Sequence, residues 1–212
     1  MNFILPALEH YSETHTSPES ELLSRINRET HLEVLQPRML SGHLQGRVLS
    51  LLSKLLQPKR VLEIGTYTGY SALCLAEGLP KDGRLITIDI NEELRTRVQA
   101  YFDESGYKNQ IEYHVGDALE IIPSLTGNWD FVFIDADKKN YLNYYNLVID
   151  HMNPGGIILA DNILWSGKVI DPTASDRETE LLRKYNEVIH ADSRVENVVL
   201  PIRDGIMVAR KI

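Results

Sequence analysis

Three residues with oxygen donors stand at the ends of two apolar runs. Phe131-Val132-Phe133-Ile134 leads into Asp135, and Ile157-Ile158-Leu159-Ala160 leads into Asp161-Asn162. If the runs are neighbouring parallel strands, Asp135, Asp161 and Asn162 come within reach of one ion. No His or Cys accompanies them, and an all-oxygen set selects Mg2+, Mn2+ or Ca2+ over zinc. Three protein oxygens also leave coordination positions for water or substrate. Lys138 follows closely on Asp135. Beside a cation and partly buried, its ammonium form is disfavoured, which makes it a candidate general base. The same acids have a plainer reading as helix caps, common work for Asp after a strand, and Asp137 suits that work. The adjacent Asn162 favours the ion. Lys139 reads as a solvated helix residue.

A second group of residues suits a charged organic ligand. Glu63-Ile64-Gly65-Thr66-Tyr67-Thr68-Gly69-Tyr70-Ser71 reads as a strand, a glycine turn and a helix start. A dinucleotide fold would carry G-x-G-x-x-G with a helix N-terminus facing a pyrophosphate. Here the spacing is G-x-x-x-G, and Glu63 just before it would repel a pyrophosphate. The acid suits a ligand with an ammonium or sulfonium charge. Asp89 ends the next predicted strand, placed to accept hydrogen bonds from ribose hydroxyls. Gly116-Asp117-Ala118 ends the third, where an adenine would lie. A glycine loop alone could simply close a turn; its company at two further strand ends favours cofactor binding.

These positions require alternating strands and helices. Residues 17–21 mark a helix start, with a capping hydroxyl, Pro18 in the first turn and acids near the positive dipole end. Leu22, Leu23, Ile26, Val34 and Leu35 follow, partly at helical spacing. After a break at 36–42, a helix over 43–56 places Leu44, Val48, Leu51, Leu52 and Leu55 on one face. Strands are then expected at 61–64, 84–89, 110–115, 129–134 and 155–160. Helices are expected between and after them at 70–79, 91–105, 118–125, 140–151 and 175–191. A hairpin of strands 195–201 and 205–210 ends the chain, turning at Arg203-Asp204-Gly205. This predicts a doubly wound, mostly parallel α/β sheet of seven strands with N-terminal helices. Ligands in such sheets bind beyond the carboxyl ends of the strands, where every motif above falls. The expected organisation is one domain over 1–212, with a helical part at 1–58 and an α/β core at 59–212.

Composition narrows the partners. A chain of 212 residues, 43% hydrophobic and 25% charged, suits an ordinary globular protein. The net charge of −8 disfavours nucleic acid, and no Lys/Arg-rich run offsets it. No apolar run is long enough to span a bilayer. Residues 1–8 lack the charged start and cleavage site of a signal peptide. Cys74 is the only cysteine and reads as a small apolar residue in a reducing, cytoplasmic setting. The seven histidines show no ligand spacing.

Taken together, segments 61–71, 88–91, 116–119, 131–138 and 155–167 resemble the cation-dependent class I O-methyltransferases. That group includes the caffeoyl-CoA and catechol O-methyltransferases. Phe133-Ile134-Asp135-Ala136-Asp137-Lys138 followed by Asp161-Asn162-Ile163-Leu164-Trp165-Ser166-Gly167 is the specific part. It is similar to the caffeoyl-CoA branch more than to the catechol branch, which has a His-Trp pair where Ala136-Asp137 stand. Met39-Leu40-Ser41-Gly42 through Gly46 resembles the family's lead into its first core helix. The resemblance implies a Rossmann-like methyltransferase fold and S-adenosylmethionine as methyl donor. It implies that Ser41, Glu63, Gly65, Thr66, Ser71, Asp89, Ala118, Asp135 and Asp137 hold that cofactor. Asp135, Asp161 and Asn162 would hold a divalent cation, Mg2+ or else Mn2+ or Ca2+, with Lys138 as base and Asp135 serving both ligands. Ser166 matches a family position that faces substrate or metal. The implied acceptor is a small catechol-like aromatic, including CoA thioesters of such rings, and the implied assembly is a homodimer. The competing readings are a metal-independent methyltransferase, a non-catalytic nucleotide- or metabolite-binding module and, more distantly, a nicotinamide dehydrogenase.

Overall fold

The continuous apolar runs form the centre of a sheet, as burial on both faces requires. In the computed structural model, which describes residues 5–212, β1 (Arg60–Ile64) pairs in parallel with β2 (Arg84–Asp89) on one side and β4 (Trp129–Ile134) on the other. β3 (Ile111–Val115) extends the sheet beyond β2, and β5 (Met152–Ala160) extends it beyond β4, both in parallel. β7 (Ile206–Lys211) runs antiparallel to β5, and β6 (Val195–Leu200) closes that edge. The order is β3-β2-β1-β4-β5-β7-β6, the seven-stranded arrangement expected. The chain winds outward from β1 through β2 to β3, then restarts at β4 in the other direction. The crevice beyond the carboxyl ends of β1 and β4 is therefore the switch point at which such sheets bind ligands.

The helices fill in with small shifts. α1 (Pro6–Thr14) falls within the helical part expected at 1–58, although no apolar period marks it, and none of its residues is buried. The expectation about a signal peptide falls partly on residues 1–4, outside those described. α2 (Glu21–Glu33) starts where Ser20 accepts a hydrogen bond from the Leu23 amide. α4 (Tyr70–Ala76), α5 (Arg95–Glu104), α6 (Ala118–Ile121) and α7 (Tyr141–Val148) are shorter than expected, with 3-10 turns before α5 and after α6 and α7. α8 (Arg177–Ala191) is capped by Asp176, which accepts from the Thr179 amide. No helix among the described residues is long and apolar enough to cross a membrane.

α3 (Gly42–Leu56) corrects the sequence reading of its buried face. Leu51 and Leu55 are largely exposed, and the helix buries Gln45, Gly46, Leu49, Ser50 and Ser53 instead. The small side chains let α3 lie close to α4, where the Ser53 hydroxyl donates to the Leu75 carbonyl at 2.6 Å. Arg47 pairs with Glu77 across the same contact at 2.8 Å. Cys74 is buried there as expected, and burial pushes its thiol up to about 12, which leaves it inert.

The segment after β5 is tied to α8 by Arg183. All five N–H donors of Arg183 are used on it and on its own helix. Nε donates to Val169 O, Nη1 to Ala174 O and Glu180, and Nη2 to Lys168 O and Asp171 O, at 2.5–3.0 Å.

The α3–α4 contact gives a direct test. A Cβ on Gly78 would sit 2.2 Å from the Ser53 carbonyl carbon. Gly78→Ala should therefore destabilise the protein by about 1–3 kcal/mol, as overpacking does. Gly106→Ala, with nothing within 4 Å of the added carbon, should stay within about 0.5 kcal/mol of the parent. Urea denaturation measures both, and equal stabilities would refute the close-packing account.

Candidate active site

β4 and β5 are in register at Ile134 and Ala160, so the next residues, Asp135 and Asp161, leave the sheet side by side. The Asp161 amide still donates to Ile134 O at 3.0 Å, which fixes that spacing. Asp161 is 3% exposed. Burial and the neighbouring Asp135 charge raise its affinity for a proton, against donation from Gln45. Asn162 follows with φ of +58°, a left-handed conformation that Asn tolerates well. Its amide nitrogen donates to Asp161 Oδ1 at 2.7 Å. The alternative of simple helix caps does not describe Asp161, whose oxygens are taken by Asn162 and Gln45. Asp137 does not cap either; its oxygens accept from Tyr144 Oη and Asn140 Nδ2.

Lys138 lies beside this pair with only 10% of its side chain exposed. Nζ donates to Tyr141 Oη at 2.5 Å, Ala136 O at 3.1 Å and Asp135 Oδ1 at 3.3 Å. Tyr141 is fully buried and donates onward to Asp161 O at 3.0 Å. Lysine, tyrosine and both acids thus form one hydrogen-bonded group. Lys139 is 63% exposed, as a solvated residue should be. Among the described residues, no group of three or more His, Cys, Asp and Glu is arranged to hold a metal. A cation here would rest on two carboxylates and the Asn162 amide.

The glycine loop borders the same pair. Gly65 has φ of +104°, and a Cβ on it would sit 2.1 Å from Asp135 O. Only glycine lets the loop after β1 pass this close to the end of β4. Glu63, two residues earlier in β1, is fully buried. Thr87 Oγ1 donates to its Oε2 at 2.5 Å, while Oε1 is buried with no hydrogen-bond partner. Burial pushes its carboxyl up to about 8, opposed by the Ser71 and Thr87 hydroxyls. A buried acid with an unpartnered oxygen suits a cationic or hydroxyl-bearing ligand. Thr66 is buried against Thr87, their hydroxyls 2.5 Å apart. Asp89 ends β2 and accepts from the Tyr67 amide at 2.6 Å and the Asn91 amide at 2.8 Å. Two lone pairs remain for sugar hydroxyls. Asp117 caps α6 through the Leu119 amide, which places Ala118 at the third strand end.

Ser41 arrives from the other side, 5% exposed, its carbonyl accepting from Arg203. Asp137 and Ser166 are the exposed candidates, Asp137 accepting from Tyr144 on α7 and the Ser166 backbone amide donating to Asp204. Sequence reasoning missed Gln45, Thr87, Tyr141 and Arg203. Gln45 and Arg203 lie far from Asp161 in the chain and carry no motif. Tyr141 follows Lys138 by three positions, the one signal that helical spacing could have offered.

Comparison with known proteins accords with this geometry. The O-methyltransferase family model matches residues 12–212. The chain belongs to the O-methyltransferase family. Caffeoyl-CoA O-methyltransferase 1 of Nicotiana tabacum is 39% identical to this O-methyltransferase over 185 residues, which cover 79% of the chain and 75% of the relative. The O-methyltransferase TomG of Streptomyces achromogenes, involved in tomaymycin synthesis and solved in complex with SAM, superposes with a TM-score of 0.89. It shares 32% identity, covering 97% of this chain and 96% of TomG. An O-methyltransferase of Bacillus cereus solved with SAH gives a TM-score of 0.89 at 29% identity, covering 97% of each chain.

Glu63 makes the unliganded O-methyltransferase sensitive to pH. The folded state keeps this proton to a higher pH than the unfolded chain does. Its contribution therefore lowers stability as pH rises from about 4.5 towards about 8. Glu63→Gln should flatten that decline, so the variant gains on the parent between pH 6 and pH 8 in urea midpoints, at about those values. Parallel decline in both proteins would remove Glu63 as the cause.

Proposed function

We propose that this chain transfers the methyl group of S-adenosylmethionine to one hydroxyl of a catechol-like aromatic acceptor, with a divalent cation held by Asp135, Asp161 and Asn162. The observation that carries the cation is the pair of neighbouring acids, one nearly buried, with Asn162 beside them. Two like charges this close favour a shared cation, and an all-oxygen donor set points to Mg2+ first, then Mn2+ or Ca2+. Bound there, the cation would supply Lewis acidity that eases loss of an acceptor hydroxyl proton. The caffeoyl-CoA relative's name supports a vicinal diol on an aromatic ring, free or as a CoA thioester.

The chain's own residues do the rest. Glu63 faces the positive end of the donor, Asp89 takes its ribose hydroxyls, and Gly65, Thr66, Ser71 and Ala118 line its path across three strand ends. Ser41, Asp135 and Asp137 complete the donor contacts. Lys138 takes the acceptor proton. The rigid strand ends hold acceptor oxygen and methyl group in line, which accounts for much of the acceleration. Trp165, whose indole nitrogen is buried without a partner, and Ser166 stand on the segment that Arg183 fixes and would border the acceptor. The exposed apolar residues Leu8 and Tyr11 on α1 and Leu51 and Leu55 on α3 support a homodimer. Light scattering should then give twice the chain mass, and a monomer at all concentrations would dismiss it.

A panel of catechols and catechol thioesters with labelled donor, run with and without chelator, tests the reaction. Activity should vanish with chelator and return with Mg2+. Asp161→Ala should lose at least about 100-fold in turnover while calorimetry shows the donor still binding. Full activity with chelator present would favour the metal-independent reading.

A further inference from the structure

The candidate cation ligands are held by a relay that no motif in the sequence marks. Gln45 is fully buried in α3 and donates from Nε2 to Asp161 Oδ2 at 2.7 Å. Its Oε1 accepts from Arg203 Nη1 at 3.3 Å. The same nitrogen of Arg203 donates to Leu40 O at 2.9 Å and to Ser41 O. With a guanidinium on one side and a carboxylate on the other, only one orientation of the Gln45 amide satisfies both. Asp161 Oδ1 meanwhile accepts from the Asn162 amide at 2.7 Å. Each carboxylate oxygen thus takes one donor, which fixes its plane and leaves a lone pair on each.

We infer that Gln45 is a positioning residue for the cation site, aiming the Asp161 carboxylate, and that Arg203 in turn positions Gln45. Partners of this kind set ligand orientation, and losing one costs about 10–100-fold in metal affinity. The relay joins three separate parts of the chain: α3, the end of β5, and the turn between β6 and β7. It also ties the cation side to Ser41 on the donor side, because Arg203 holds both. The inference rests on the cation reading given above.

The test is Mn2+ binding, followed by the electron paramagnetic resonance of the free ion. Gln45→Met keeps the side-chain volume and removes both the donor and the acceptor of the amide. It should weaken Mn2+ about 10-fold or more, while S-adenosylhomocysteine affinity by calorimetry stays close to that of the parent. Arg203→Met, farther from Asp161, should weaken Mn2+ as well, and it supplies the comparison if Gln45→Met fails to fold. Unchanged Mn2+ affinity in a folded variant overturns the inference. So does, in Gln45→Met, an equal loss of Mn2+ and S-adenosylhomocysteine binding, which would mean general disruption of the site. A parent protein that binds no Mn2+ rejects the cation reading itself, a result distinct from either of these.

Discussion

Asp135 and Asp161 repel each other. Parallel pairing of β4 with β5 sets them side by side, and the register at Ile134 and Ala160 permits no other spacing. A buried carboxylate beside another is costly unless charge or hydrogen bonds offset it. The surrounding side chains answer that cost. Lys138 bonds Asp135, Gln45 and the Asn162 amide bond Asp161, and Arg203 adds positive charge one step behind. Tyr141 bridges Lys138 to the Asp161 backbone. Almost every polar group in this corner of the sheet is placed by the need to keep two acids together. A fold that gained nothing from the pair would be better served by apolar residues of similar size.

The same constraint places the glycine loop. Gly65 can approach the end of β4 only because it lacks a Cβ, and that approach brings Glu63, Thr66 and Ser71 to the edge of the acidic pair. Glu63 is then under strain of its own, buried with one oxygen unpartnered. The donor proposed above would relieve it, and the proposed cation would relieve Asp135 and Asp161. Two neighbouring sites where burial disfavours the ionised carboxyl are thus the places where ligands of positive charge would be favoured. Neither depends on the acidic surface of the whole chain.

The parts legible in the sequence were those governed by local pattern. Apolar runs gave β1, β2, β4 and β5, and the acids in or just after them gave Glu63, Asp89, Asp135 and Asp161. The helix α3 was legible as a helix but not in its orientation. Its leucines suggested a buried face, while Gly46, Ser50 and Ser53 are what α4 accepts at close range. Size complementarity between helices overrode hydrophobic pattern there, and one sequence alone does not reveal which neighbour a helix will meet. Gln45 illustrates the same limit. It lies outside the leucine face named for this helix, yet it is fully buried and donates to a carboxylate 116 positions later.

Arg203 shows how the N-terminal helices and the C-terminal hairpin come to share one site. Its backbone lies in the left-handed region at φ of +50°, an uncommon conformation for arginine. In that turn its guanidinium reaches the carbonyls of Leu40 and Ser41 just before α3 and the amide of Gln45 within it. β6 carries the chain to that end of the sheet, and β7 starts there beside Ala160 and runs back along β5 away from Asp161. A purely parallel sheet would leave this side of the acids open to water and Gln45 without its second partner. The one reversed strand therefore does more than cover an edge. Because it starts at the carboxyl end of β5, the turn before it stays beside Asp161, and residues more than 150 positions apart hold the same carboxylate environment.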